Sequence, residues 1–233
     1  MNIVIIGTGY VGLVTGVGLA SLGNNINFLD LDENKIQNLS NKKITFYEPG
    51  LEEYFNDDET FSRMFFSSDY ASIEWQNIDI VFVCVQTPNN LETNSVDTNF
   101  LESAIKEINN VNNDDLVITI KSTIPPYEIE KVCEKVGMDS SKLTFNPEFL
   151  REGTAVEDFF KPDRIVLGGT NNEKLNKLKE LYTDFDCEII TTDSISSQLI
   201  KYLANTYLPL RLSFVNEATR LIDYSGGNLD DVL

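Results

Sequence analysis

IVIIGTGYVG, residues 3–12, sets a run of aliphatic residues directly against three glycines, Gly7, Gly9 and Gly12. The run reads as a buried strand. The G-x-G-x-x-G spacing then asks for a tight turn at the first glycine, close approach of backbone to a pyrophosphate at the second, and a helix packed on the strand at the third. Alone the pattern is weak. Its weight comes from INFLD, residues 26–30, a second strand ending in Asp30 about 20 residues past the first glycine. A carboxylate there can accept from both hydroxyls of an adenosine ribose and repels a 2′-phosphate, so NAD is expected over NADP. Asp30 also reads as an N-cap for the segment starting at Asp32, which does not exclude ribose binding. Lys35, one turn further, can approach the adenosine end or stand as a solvated surface lysine.

Outward from this unit, short Val/Ile-rich runs alternate with amphipathic segments. Strands are expected at 79–85, 116–121, 143–145, 164–169 and 188–192, and helices at 10–22, 33–40, 98–109, 127–136 and 172–184. The runs lack strict alternation, so both faces of the sheet are expected to be covered. The fold class is therefore α/β: a Rossmann-like, doubly wound, mostly parallel sheet over residues 1–192, with ligands at the carboxyl ends of the strands. From Ser194 to about Tyr224 the pattern becomes one long amphipathic connecting helix, with Leu203, Tyr207, Leu210, Phe214 and Leu221 in its apolar stripe. Residues 193–233 read as this helix and the start of a central region, because SGGNLDDVL (225–233) looks like a turn followed by another helix. A unit left without its partner is expected to be the N-terminal portion, or a shortened version, of something longer.

Composition narrows the partners. With 37 acidic against 18 basic side chains and a net charge of -19, neither nucleic acid nor an anionic membrane is an expected partner. An anionic ligand must be held by helix N-termini and a few placed lysines. Cys84, Cys133 and Cys187 are odd in number and set in apolar surroundings, which reads as reduced thiols of a cytoplasmic protein. No run approaches membrane length, MNIVIIGTG begins straight into a strand with no basic leader, and no metal site is expected.

Two turns fall at carboxyl ends of expected strands, VQTP (85–88) and KSTIPP (121–126). Thr87 and Thr123 can each offer a hydroxyl to a cofactor or a water, while the prolines end the strands. Taken singly they are turn chemistry; on one rim of a dinucleotide sheet they suggest a wall of a site.

GTGYVGLVTG, YEPGLEE (47–53), KSTIPP, NPEFLREGTAVEDFFKPDRIVLGG (146–169) and IKYLANTYLPLRLSFVNE (200–217), in this order, resemble the UDP-glucose/GDP-mannose dehydrogenases across essentially the whole chain. NPEFLREG followed by PDRIVLG is most similar to the members acting on UDP-glucose. The resemblance implies NAD as cofactor, a UDP-sugar as substrate, and four-electron oxidation of a sugar primary alcohol to a carboxylate, UDP-glucose to UDP-glucuronate. The route it implies runs through a cysteine that captures the aldehyde and a thioester that water hydrolyses. It also implies a homodimer built around the long helix.

Carried over by motif, the cofactor set is Gly7, Gly9, Tyr10, Val11, Gly12, Asp30, Lys35, Thr87, Thr123 and Glu152. Glu152 and a water held by Thr123 help remove the alcohol proton, Glu148 is a second acid for the thioester step, and Lys201 and Asn205 reach one oxygen. Phe149, Leu150 and Arg151 join Glu148, Lys201 and Asn205 around the sugar nucleotide. The i, i+4 spacing of Lys201 and Asn205 places both on one helical face independently of the resemblance. Periodicity alone reads them as a solvated stripe, and Asn146, Pro147 and Glu148 alone read as a helix start.

The sequence departs from the family at several points. None of its cysteines sits in the glycine-rich context of the family's nucleophile, and the sugar-nucleotide domain is expected to lie outside this chain. Pro209 stands where many relatives have alanine and is expected to kink the long helix; Arg211 and Gln86 are further differences. Within the resemblance, GDP-mannose or a UDP-N-acetyl-hexosamine stays open as the substrate, and two readings outside it stay open as well. One is a one-step dehydrogenase of the 3-hydroxyacid kind, which needs no cysteine, and the other is a chain that binds NAD without turnover. Under the UDP-glucose reading itself, the 233-residue chain is expected to be inactive on its own.

Overall fold

The computed structural model describes residues 1–90 and 95–232. Ten strands run in chain order: β1 Asn2–Ile6, β2 Asn25–Leu29, β3 Met64–Ser67, β4 Ile80–Val83, β5 Asn89–Asn90, β6 Ser95–Val96, β7 Val117–Ile120, β8 Leu143–Phe145, β9 Arg164–Gly168 and β10 Glu188–Thr192. The helices are α1 Tyr10–Ser21, α2 Glu33–Ser40, α3 Leu51–Asn56, α4 Asp58–Ser62, α5 Asn99–Asn109, α6 Pro126–Val136, α7 Ala155–Phe160, α8 Asn172–Glu180, α9 Ser194–Ser225 and α10 Leu229–Val232. Eight strands form one sheet in the order β10-β9-β8-β7-β4-β1-β2-β3, while β5 and β6 pair as a small antiparallel ribbon. Within the eight-stranded sheet all pairings are parallel except β8 with β9. This is the Rossmann-like, mostly parallel, doubly wound arrangement expected from the Val/Ile runs.

The strand order reverses between β1 and β4, which opens a crevice at their carboxyl ends. Period-two geometry sends alternate residues of β1 to opposite faces. Ile3 and Ile5 pack with Phe28, Phe82, Leu13 and Val17 on one side, and Val4 and Ile6 with Val81, Val83, Leu101 and Ile105 on the other. Both layers are closed, so the crevice is the opening the sheet itself provides.

Several boundaries differ from expectation. β3 was not expected, and α3, α4 and α7 are additional short helices. Residues 146–150 are not a helix start: the chain stays irregular there and α7 begins at Ala155. Asp30 is not the N-cap of α2; that place belongs to Asp32, whose carboxylate accepts from the amides of Asn34 and Lys35.

α9 runs 32 residues, from the Asp193 cap to a left-handed Gly226, and is unbroken through Pro209. Its first turns seat against β9, where Ser197 stands so close over Gly168 that an added Cβ would lie 2.0 Å from its hydroxyl. The side chains it buries are Ser197, Gln198, Lys201 and Ile222. Its apolar stripe instead lies open: Leu203, Tyr207, Leu210, Phe214 and Leu221 are all more than 60% exposed. No helix among the described residues is long and apolar enough to cross a membrane.

Candidate active site

A cavity of about 700 Å³ occupies the crevice between the ends of β1 and β4. Its floor is the glycine loop. Gly7 has φ +95°, which L side chains rarely adopt, and an added Cβ would lie 2.7 Å from the carbonyl oxygen of Cys84. Gly12 is tighter still, with the Gly7 carbonyl oxygen 1.9 Å from an added Cβ. Gly9 is the opposite case: apart from Gly9 and its chain neighbours, no atom of the described residues stands within 4 Å of its Cβ position. α1 starts at the next residue, and no described side chain caps its N-terminal amides. An open approach to uncapped amides is a ready anion site.

Asp30 closes the other end. Its Oδ2 accepts from the Thr8 amide (2.8 Å) and the Thr8 hydroxyl (2.8 Å), its Oδ1 accepts from the Asp32 amide (3.0 Å), and Lys35 Nζ stands 3.6 Å away. Burial alone works to raise this carboxyl, but the donations from Asp32 and Thr8 and the charge of Lys35 together hold it below its ordinary value of 3.8. A carboxyl lowered by folding adds stability above its unfolded value and loses it as the pH falls through its folded value. The stability gap between the wild-type chain and Asp30→Asn, read by urea unfolding, is therefore expected in full above about pH 5 and to shrink toward about pH 2. A gap that is flat across this range would contradict the pinned carboxylate. The bare anion-binding turn, the open space at Gly9, the ionised acid beyond it and the size of the cavity together fit a dinucleotide.

A second cavity, of about 760 Å³, lies between the 146–151 segment and α9. Lys121 and Glu148 line both cavities, so they form the shared wall. Lys201 Nζ pairs with Glu148 Oε1 at 2.7 Å, and the two side chains are 7% and 13% exposed. Screening by solvent is thus slight. Glu148 Oε2 also accepts from the Leu150 amide at 2.7 Å, which fixes the carboxylate from its own loop. Lys121 donates to Asn146 Oδ1 at 2.9 Å, Tyr182 OH donates to the same oxygen at 2.7 Å, and Asn146 Nδ2 donates to the Val166 carbonyl at 3.0 Å. Burial lowers the Lys121 amine, which the Lys201 charge also favours, against opposing pulls from Cys84 and Glu148. Phe149 is flanked by Arg164 at 4.5 Å and Lys201 at 5.3 Å from its ring centre.

Lys201, Asn205, Glu148, Phe149, Leu150 and Arg151 thus share this one cavity. Arg151 is itself mostly exposed and paired with Asp158 at 2.6 Å. Lys121, Arg151, Lys161, Arg164 and Lys201 line the cavity beside Glu148, Glu157, Asp158 and Asp163, near balance in a chain with 37 acids and 18 bases. The expected cofactor residues Gly7, Gly9, Tyr10, Val11, Asp30, Lys35, Thr87 and Thr123 line the first cavity. The two threonine turns are tied together there by the Thr87 hydroxyl, which donates to the Thr123 carbonyl at 2.8 Å. Gly12 supports the loop from beneath. Glu152 stands apart: it is exposed, and neither cavity includes it.

Four participants escape a reading of the sequence. Thr8 holds Asp30. Lys121 directly continues the buried VITI strand, and a lysine in that place was the available signal. Glu48 is 4% exposed within YEPGLEE. Gln198 is buried, with no partner for its Oε1 among the described residues, and it faces a hole of about 10 Å³ shared with Thr123 and Lys201, room for one water. Among the cysteines, burial pushes Cys84 up to about 12 and Cys133 to about 11, so both are protonated at neutral pH.

A mostly parallel sheet with this loop, acid and crevice defines a dinucleotide-binding domain, and the comparisons with known proteins place it among the NAD-binding domains of oxidoreductases. The pattern of the UDP-glucose/GDP-mannose dehydrogenase family, NAD binding domain, matches residues 1–186. The chain belongs to this family and carries its NAD binding domain. A UDP-glucose 6-dehydrogenase of Rickettsia felis is 38% identical over 237 residues, covering 100% of this chain and 52% of its own length. The structure of a UDP-glucose dehydrogenase from Pyrobaculum islandicum matches with a TM-score of 0.88 at 32% identity, over 99% of this chain and 55% of that one. A GDP-mannose dehydrogenase from Pseudomonas aeruginosa gives a TM-score of 0.88 at 26% identity, over 100% and 55% respectively. The chain spans about half the length of the curated relatives it matches.

Proposed function

We propose that this chain is the cofactor-binding half of a dehydrogenase that oxidises UDP-glucose to UDP-glucuronate. The observation that carries the reading is the shared wall, where a dinucleotide cavity and a second cavity meet at Glu148 and Lys121 with Lys201 paired to Glu148 at 2.7 Å. NAD, when bound, supplies the hydride acceptor. The chain's own residues do the rest. The α1 amides hold the pyrophosphate and Asp30 the adenosine ribose. Lys201 and Asn205 steady the reacting oxygen, with Glu148 beside them to hold a proton. Cations such as Arg164 and Lys161 favour an anionic substrate, as the diphosphate of a nucleotide sugar is. Thr123 holds a water in this scheme, and the hole beside Gln198 has the volume for one. Glu152 keeps the role its motif implies only through a movement of its loop toward the cavities.

The second oxidation needs a thiolate at the substrate, which none of the three cysteines offers: burial pushes Cys84, Cys133 and Cys187 all above the ordinary thiol value, and Cys133 and Cys187 line neither cavity. The chain alone is therefore inactive in this scheme, and a segment outside it completes the site. The open apolar stripe of α9 is the face through which two copies pair. The free cysteines suit a reducing compartment such as the cytoplasm.

Trp75, the single tryptophan, stacks on Tyr70 at 6.3 Å, and Tyr70 lines the dinucleotide cavity. Titration of its fluorescence is expected to saturate with NAD and to require at least about tenfold more NADP, because a 2′-phosphate would meet the Asp30 carboxylate. UDP-glucose added with NAD is expected to yield no NADH. Equal affinity for NADP, or no saturable response to NAD, would overturn the reading. NADH formed from a short 3-hydroxyacid would favour a one-step dehydrogenase instead, against which the EPGL and NPEFLREG motifs stand.

A further inference from the structure

YEPGLEE has no part in the scheme above, yet it contributes the most enclosed carboxylate of the site region. Glu48 is 4% exposed, and no cation pairs with it among the described residues. Three protein donors converge on it instead. The Gly153 amide donates to Oε2 at 2.9 Å, the Ala155 amide to Oε1 at 2.8 Å, and the Tyr10 hydroxyl to Oε2 at 3.0 Å. The Tyr10 hydroxyl also lies 3.0 Å from the Arg151 carbonyl oxygen. A desolvated carboxylate persists only where donors of this kind satisfy it, and such charge-assisted bonds are short and directional.

The donors come from two places that matter. Tyr10 opens α1, in the turn that faces the dinucleotide cavity. Gly153 and Ala155 end the segment that begins with Glu148 and Leu150, on the wall of the second cavity. Thr154, at the N-cap position of α7, makes no side-chain cap bond, so Glu48 takes the first amide of that helix from outside. One carboxylate therefore fastens the segment bearing Glu148 to the segment bearing the pyrophosphate amides.

We propose that Glu48 is a positioning residue for both cavities: it sets the 148–155 segment against the first turn of α1, and thereby the place of Glu148 relative to a bound dinucleotide. This rests on the NAD reading above. It acts through Tyr10 and the two amides and touches neither ligand itself.

Glu48→Gln tests it in the 233-residue chain. One oxygen becomes an NH₂ that faces donors, so at least one of the three bonds is lost and two like groups confront each other. Amide exchange at Gly153 and Ala155 is expected to quicken at least about tenfold, and NAD to bind at least about tenfold more weakly, well below the melting temperature. Glu48→Asp keeps the charge at shorter reach and is expected to recover part of both. A purely structural role would lower the melting temperature and leave NAD affinity of the folded protein unchanged. Exchange and NAD affinity both within about twofold of wild type in Glu48→Gln would overturn the proposal. Should that variant not fold, the same two readings on Glu48→Asp decide it in the same way. A wild-type chain that does not bind NAD would sink the functional reading instead, and the exchange rates at Gly153 and Ala155 would then judge the fastening alone.

Discussion

Gly12→Ala is expected to destabilise the chain by at least about 3 kcal/mol and to weaken NAD binding more than about a hundredfold. The added methyl would fall 1.9 Å from the Gly7 carbonyl oxygen and 3.1 Å from the Ile5 side chain. Backbone cannot yield there without moving the turn, and Gly7 is itself held against the Cys84 carbonyl. Either α1 lifts from β1 or the glycine loop shifts out of register with its amides. Gly9→Ala separates the two effects. With open space around its Cβ position, it is expected to change stability by less than about 0.5 kcal/mol while still obstructing the pyrophosphate. Urea unfolding and the Trp75 titration read both quantities. A Gly12→Ala chain that folds and binds NAD as the wild type does would show that the close packing at Gly12 does not set the glycine loop.

Lys201→Met is expected to lower stability by about 3 kcal/mol, because it leaves the Glu148 carboxylate enclosed without its cation. Side-chain exposures of 7% and 13% place the pair well inside the region where desolvation is not recovered from water. The Leu150 amide still donates to Glu148, which keeps the loss at the lower end of the usual range. Removing both charges, as Lys201→Met with Glu148→Leu, is expected to bring the stability back to within about 1 kcal/mol of wild type. A single variant that unfolds at the wild-type urea concentration would mean that the pair is solvated after all, and the solvated-stripe reading of α9 would return.

The fold was open to reading because its signal is local. IVII against a glycine loop, and Val/Ile runs spaced by helices, describe a parallel sheet whichever residues lie elsewhere. β3 escaped because MFFS is short and follows a polar segment, and its strand character comes from pairing with β2. The site was less legible because its burial is not local. Periodicity marks Lys201 as solvated; it is enclosed because Ser197, one turn earlier, settles over Gly168 and draws the start of α9 onto the sheet. Asn146 resembles a helix cap in sequence, but its side chain is claimed by Lys121, Tyr182 and Val166, so no helix starts there and the next one begins only at Ala155. Glu152 shares a motif with Glu148 yet lies outside both cavities, since the turn through Gly153, with φ +91°, carries the chain to the surface there.

The uncovered stripe of α9 gives the chain the character of a charged colloid with one greasy edge. Its net charge of -19 keeps copies apart at long range, over about 30 Å in 0.01 M salt but only about 3 Å in 1 M. The attraction between apolar edges has no such dependence and grows in strongly hydrated salts such as sulfate. Ionic strength therefore sets whether repulsion or adhesion governs an encounter between two copies. A buffer chosen to quiet electrostatics would expose the adhesion.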